Sequence, residues 1–232
     1  MATMYRDPTS PPPTGPYVAA RRPVQPALLL PGHHPAWTET PAISWGPEPY
    51  RTTFRAVWNE HGLAVRFDAC DERPWHTMRQ HDDPIAQEEV VEIFLDPSCD
   101  GHDYAELEIS PFNVVTDLRI VTPWPTLVGD RAWNWTGLEN TVMPGSCGGL
   151  SPDSWVALLW LPWTGLGTLS EGARARVPPR PGDRWRFNVF RIKRPHGPTE
   201  PERDAVYAAW SVPAGPSFHD TDAFRELVFG PS

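Results

Sequence analysis

The chain is short of positive charge. It carries 20 Lys and Arg against 29 Asp and Glu, a formal net charge of −9. Binding to a phosphate backbone needs a basic surface, so nucleic acid is excluded as a partner. No apolar run approaches the roughly 20 residues of a membrane helix, so no membrane partner is expected. Near the N-terminus, Arg21-Arg22 precede only a short, proline-broken apolar stretch, too short for the core of a secretory signal. On that ground the chain is expected to be cytoplasmic, or secreted if an upstream segment precedes it. Cysteine is scarce: Cys70, Cys99 and Cys147 are odd in number and far apart, which fits neither a disulfide framework nor a zinc site. They are expected to be free thiols, with a Cys99–Cys147 bridge as the one pairing left open. HExxH spacing, a glycine-rich phosphate loop, a nucleophile elbow and a Cys–His signature are all missing.

What is plentiful is proline (30) and tryptophan (12), with 40% hydrophobic residues overall. That much proline predicts many loops and few long helices. Residues 1–26 are proline-rich and poor in large apolar residues, which predicts a flexible arm or extended strap. Residues 27–232 are expected to form one domain. Within it, residues 27 to about 50 have apolar side chains without period and are expected to drape over the domain edge.

The pattern is clearest over residues 82–121, DDPIAQEEVVEIFLDPSCDGHDYAELEISPFNVVTDLRIV. Strands are predicted at about 88–95, 103–110 and 113–121, separated by Pro-Ser-Cys-Asp-Gly and Ser-Pro-Phe-Asn turns. Val91, Ile93 and Leu95 alternate with Glu92, and Leu107 and Ile109 with Glu106 and Glu108. Period two means one face in a core and one face carrying acids. Arg66, Asp68, Asp117, Arg119, Arg186 and Asn188 are expected to share such faces. The competing expectation is a solvated outer face with cross-strand ion pairs. A hairpin is predicted over 52–68, with further strands at 153–160, 184–192, 205–211 and 224–229. Nine or ten short strands with almost no helix predict an all-β antiparallel two-sheet sandwich, jelly-roll-like in build.

The order of residues resembles the family 9 carbohydrate-binding modules and their family 9-like relatives. The resemblance runs from about residue 36 to 230. It is densest in DDPIAQEEVVEIFLDPSCDGHDYAELEISP and in Trp133-Asn134-Trp135-Thr136-Gly137-Leu138. It continues through Leu161-Pro162-Trp163, Gly182-Asp183-Arg184-Trp185-Arg186-Phe187-Asn188 with Arg191, Trp210-Ser211 and Phe218-His219. It implies a β-sandwich that holds a mono- or oligosaccharide between aromatic rings, often with structural calcium in its loops. One stacking ring of that family would fall at Ala86, where this sequence has none. The second maps near Phe218, and the polar residue of the acidic strand maps to Glu92. Trp75 or Trp135 are the substitutes expected for the missing ring.

The resulting ligand-binding candidates are Glu92, Glu108, Trp75, Trp135, Arg191, Trp210, Phe218 and His219. Carboxylates, Arg and His bond hydroxyls, and indole faces stack on sugar C–H faces. Trp58, Trp155 and Trp185 fall on strands and are expected in the core. Trp124 and Trp133 are expected in a loop. Asp96, Asp100 and Asp103 have oxygen-rich spacing for a small calcium loop, against the simpler reading of an Asp/Gly turn. His76, His81 and His102 read as surface or hydrogen-bonded histidines. The alternative to a binding module is a glycosidase-type enzyme on the same scaffold, using Glu92, Glu108, His219 or Arg191. A third reading, haem binding, needs two axial ligands facing one cleft and finds no pattern.

Overall fold

The computed structural model describes residues 4–6, 13–23, 35–147, 153–199, 201 and 204–232. Leu28, Leu29 and Leu30, expected to drape over the domain edge, lie outside these. The strands in order are β1 (Met4–Tyr5), β2 (Tyr17–Arg21), β3 (Ile43–Trp45), β4 (Thr52–Trp58), β5 (Gly62–Ala69), β6 (Val90–Asp96), β7 (Tyr104–Ile109), β8 (Val115–Thr122), β9 (Val128–Asp130), β10 (Glu139–Pro144), β11 (Trp155–Pro162), β12 (Arg184–Lys193), β13 (Val206–Ala209) and β14 (Arg225–Phe229). Among the described residues helix is confined to single turns such as α1 (Pro35–Thr38), α2 (Trp163–Leu166) and α3 (Glu171–Arg174).

One layer, sheet A, runs β9-β8-β7-β6-β12-β14, with β13 and then β1 continuing beside the far half of β12. The other, sheet B, runs β10-β11-β5-β4, with β3 alongside β4. Their facing side chains form one apolar cluster: Phe54, Trp58, Val65 and Phe67 from sheet B meet Val91, Ile93, Leu107, Trp185, Phe187 and Phe229 from sheet A. Trp58, Trp155 and Trp185 are all buried, as expected of strand residues.

Three differences from the sequence reading have physical causes. First, the described residues hold 14 strands rather than nine or ten, and β1, β2, β3, β9 and β10 are the ones not foreseen. They are short edge or corner pieces, in which two to six residues cannot display a period. Second, part of the proposed arm is built into the fold. Tyr17 and Ala19 are buried, Tyr17–Ala19 pair in parallel with β14, and Ala20–Arg21 pair in parallel with β4. β2 therefore stitches the two sheets together, and with β1–β13 these are the parallel pairs among the described strands, the rest being antiparallel. Third, Cys70 and Cys147 form a disulfide, so the free-thiol expectation holds for Cys99 alone and no Cys99–Cys147 bridge forms. Trp155 of β11 pairs with Ala69 on one side and Pro144 on the other. The chains leaving β5 and β10 thus emerge at the same end of the sheet, and their cysteines meet there.

Sheet B also explains an ambiguous run. WVALLWLP in β11 is apolar at nearly every position because both faces are covered. Trp155, Leu159 and Leu161 face the inter-sheet core, while Val156, Leu158 and Trp160 pack under Trp37 of α1.

Candidate functional site

The acidic alternation in β6 and β7 places Glu92, Glu106 and Glu108 on the outer face of sheet A. Glu92 and Glu108 are direct cross-strand partners, and Glu106 lies opposite Phe94. This face is not solvated. Phe94, Tyr104, Leu118, Ile120, Phe190 and Ile192 surround the acids, and Ile85, Phe218 and Phe224 cover them from two connecting segments. Glu92 is only 2% exposed. The acids therefore sit in a second, smaller core.

The cover is built from rings. Phe218 stacks on Phe190 with centroids 4.3 Å apart, and His219 stacks on Phe94 at 5.0 Å. Phe224 meets Tyr104 edge-on at 5.3 Å. His219 Nδ1 is 2.8 Å from the Tyr104 hydroxyl. Burial pushes the His219 imidazole down to about 4 and pushes the Tyr104 phenol up, so both are neutral at pH 7. Donation by the phenol leaves the ring proton on Nε2, which faces Glu106 Oε2 at 3.9 Å. That distance is too long for a hydrogen bond.

Electrostatics follow from burial. The Glu108 carboxyl is pushed up to about 7 by desolvation, although the Glu106 side chain, the Arg131 charge and the Ala86 N–H pull it down. Glu106 and Glu92 are also raised well above the usual carboxylate range, first by burial and then by their acidic neighbours. Glu92 Oε1, Glu106 Oε2 and Glu108 Oε2 are buried oxygens without a hydrogen-bond partner. A buried acceptor left unpaired costs about 1–3 kcal/mol. The face therefore presents buried carboxyl oxygens that are still open to a hydrogen-bond partner.

Of the eight candidate residues, this face gathers Glu92, Glu108, Phe218 and His219. The other four are placed elsewhere. Arg191 lies on the inner face of β12, its Nη2 2.6 Å from Asp71 Oδ2, and its guanidinium sits 5.1 Å from the Trp155 ring centroid. Lys193 joins the same network at 2.7 Å from both Asp71 and Glu89. Trp75 closes the network's end, donating from its indole to the Arg194 carbonyl at 2.7 Å. Trp135 is a core residue that donates to the Pro162 carbonyl and packs against Gly165, where an added Cβ would stand 2.4 Å from the indole. Trp210 packs on Phe187 in the inter-sheet core. The residues considered for an enzyme are thereby split, with Arg191 on the opposite face of sheet A from Glu92, Glu108 and His219.

Arg66 and Asp68, expected to share the acidic face, are on sheet B, where Arg55 and Arg66 both pair with Asp68. They line a cleft of about 450 Å³ with Trp37 and the Cys70–Cys147 bridge. Asp117 and Arg119 also turn away from the glutamates, since their β7 partners Leu107 and Ala105 face the inter-sheet core.

The calcium-loop residues do not fit a shared ion. Asp96 accepts the Cys99 and Gly101 N–H groups at 2.8 and 2.9 Å, Asp100 accepts the His102 N–H, and Asp103 is held by Arg119. Each carboxylate already has a local donor, and their oxygens do not converge.

One further ring borders this face and is not among the ligand-binding candidates. Trp124 is 43% exposed, its N–H donates to the His219 carbonyl, and its ring borders Gly215 in the covering segment. Its indole is thus an exposed ring anchored to the segment that covers the acids. Its signal was a Trp between two prolines in a loop, which nothing in the sequence connected to residue 219.

No family model matches the chain. An "Extracellular protein" of Arthroderma benhamiae is 28% identical over 182 residues, 77% of this chain and 78% of that one. A putative carbohydrate-binding protein from Bacteroides uniformis superposes with a TM-score of 0.68 at 13% identity, covering 93% of this chain and 99% of that one. A family 9 carbohydrate-binding module from Caldicellulosiruptor kristjanssonii, in complex with cellotriose, has a TM-score of 0.63 at 14% identity, covering 94% and 95% of the two chains. Its complex with glucose gives 0.64, covering 94% and 97%. The fold is that of the family 9 carbohydrate-binding modules.

Proposed function

We propose that this chain is a non-catalytic carbohydrate-binding module that takes a mono- or oligosaccharide at the rim of the sheet A face. The observation that carries this is the set of unpartnered buried oxygens on Glu92, Glu106 and Glu108 beneath a cover of stacked rings. A sugar is matched to such a face. Its hydroxyls both donate to and accept from carboxyl groups, and its C–H faces pack on aromatic rings. A hydroxyl between His219 Nε2 and Glu106 Oε2 accepts from the first and donates to the second. Trp124 offers the exposed ring. Likeness to structures that hold glucose and cellotriose supports the same ligand class.

We also infer an oxidising setting. The Cys70–Cys147 bridge supports it, because such bonds persist outside reducing compartments. The name of the fungal relative points the same way.

Titration calorimetry against glucose, cellobiose, cellotriose and a panel of other mono- and oligosaccharides tests the proposal. Binding in the wild type, weakened at least tenfold in Glu106→Gln and Trp124→Ala, is expected. Absence of heat with every sugar would remove the proposal. Undiminished binding in both variants would move the site off this face.

A further inference from the structure

We propose a divalent metal site of the imidazole-and-carboxylate type at the edge of β8, formed by His81, Asp82 and Asp117. Beyond the β9 pairing, two loops close over residues 115–117 of β8. The first arrives with the Asp82 N–H bonded to the Val115 carbonyl at 3.0 Å and the Thr116 hydroxyl bonded to the Asp83 carbonyl. The second brings the Trp135 N–H onto Asp117 Oδ2. Between them, His81 Nε2 stands 3.0 Å from Asp117 Oδ1 and 3.4 Å from Asp82 Oδ1. Asn134 Oδ1 is a further oxygen 3.0 Å from the same nitrogen.

Two observations point to an ion rather than to a simple His–Asp contact. Asp117 Oδ1 is buried, on a side chain only 1% exposed, and makes no hydrogen bond, although it is aimed at His81. The geometry of His81 Nε2 satisfies Asn134 instead. A carboxylate oxygen buried in this way is costly unless a cation meets it. Second, the three ligand atoms lie within 4.8 Å of one another, and His81 Nε2 stands at coordination-shell spacing from both oxygens. Ligands about 2.1 Å from a tetrahedral metal stand roughly 3.4 Å apart, and octahedral neighbours stand about 3.0 Å apart. One imidazole with two carboxylates selects zinc and its first-row neighbours over calcium, which prefers all-oxygen sets. The loop fixed here runs directly into Ile85, which covers the glutamates.

The test uses the untagged full chain, stripped with chelator and titrated calorimetrically with zinc, then with calcium. One zinc per chain and a rise in melting temperature of several degrees are expected. His81→Ala, on a ring that is 50% exposed and so unneeded for folding, should weaken zinc at least tenfold. Asp117→Asn should do the same, and Cys99→Ser should leave binding intact. Absence of zinc binding, zinc binding unchanged in His81→Ala, or calcium binding as tight as zinc would each overturn the assignment. Sugar titrations are read separately, so failure here leaves the saccharide site standing.

Discussion

Glu92 and Glu108 stand directly opposite one another on β6 and β7, both carboxyls buried on the outer face of sheet A. Like charges placed opposite across strands destabilise a sheet, and burial adds desolvation. The pair is tolerated because the carboxyls hold protons well above the usual carboxylate range.

That relationship sets a pH dependence. A raised carboxyl binds its proton in the folded chain at pH values where the unfolded chain has released it, so stability falls as pH rises. For Glu108 the window opens near its ordinary value of 4.5 and runs up through about 7. Its contribution to the loss is on the order of 3 kcal/mol. Relative to wild type, Glu108→Gln should therefore gain stability steadily between pH 5 and 8 in urea melts. A stability difference that is flat across that range would contradict the buried, protonated Glu108.

His219 runs the other way. Burial lowers its pKa to about 4, so the unfolded chain takes up the proton first as pH falls. Its stabilising contribution is complete above about 6.5 and is lost on acidification towards 4. NMR of the imidazole nitrogens should show a neutral ring at pH 6, with the proton on Nε2. A midpoint above pH 6 would disprove the buried placement against Phe94.

The inner-face network should matter for stability and not for ligand. Asp71 lies 2.6 Å from Arg191 and 2.7 Å from Lys193, the only lysine in the chain, and all three are buried. Burial raises the Asp71 carboxyl, and the two cations more than reverse this. Asp71→Asn leaves both cations without their shared partner and should cost about 3–5 kcal/mol. Chemical denaturation measures this. Sugar affinity of the folded fraction should stay within twofold of wild type.

The disulfide spans 77 residues of sequence. Closing a loop of that size stabilises by about 4 kcal/mol when the bridge fits the native backbone. Cys70→Ala with Cys147→Ala should lower the unfolding free energy by that order, whereas Cys99→Ala should have little effect. Intact-mass and peptide mapping without reductant should find Cys70 joined to Cys147 and Cys99 alkylatable.

Much of the sandwich was legible in the chain. Alternation in β4, β5, β6, β7 and β12 named the core residues, because period two with apolar partners has one physical solution, a strand with one face in a core. Glu92, Glu106 and Glu108 were visible as a shared face for the same reason. What alternation cannot say is what covers the other face. The residues that bury these acids, Ile85, Phe218 and Phe224, come from connecting segments, two of them more than a hundred residues further along the chain, and carry no period. The roles of the loop tryptophans were likewise undecided by composition. Trp135 went to the core and Trp124 to the surface because of contacts with Pro162 and Gly215, set by tertiary packing alone. Strand type and facing are local properties, so the sequence determined them. The Cys70–Cys147 pairing, the split of Arg191 from the glutamates and the meeting of His81 with Asp117 depend on which strand ends lie side by side. Only the folded arrangement of the two sheets decided those.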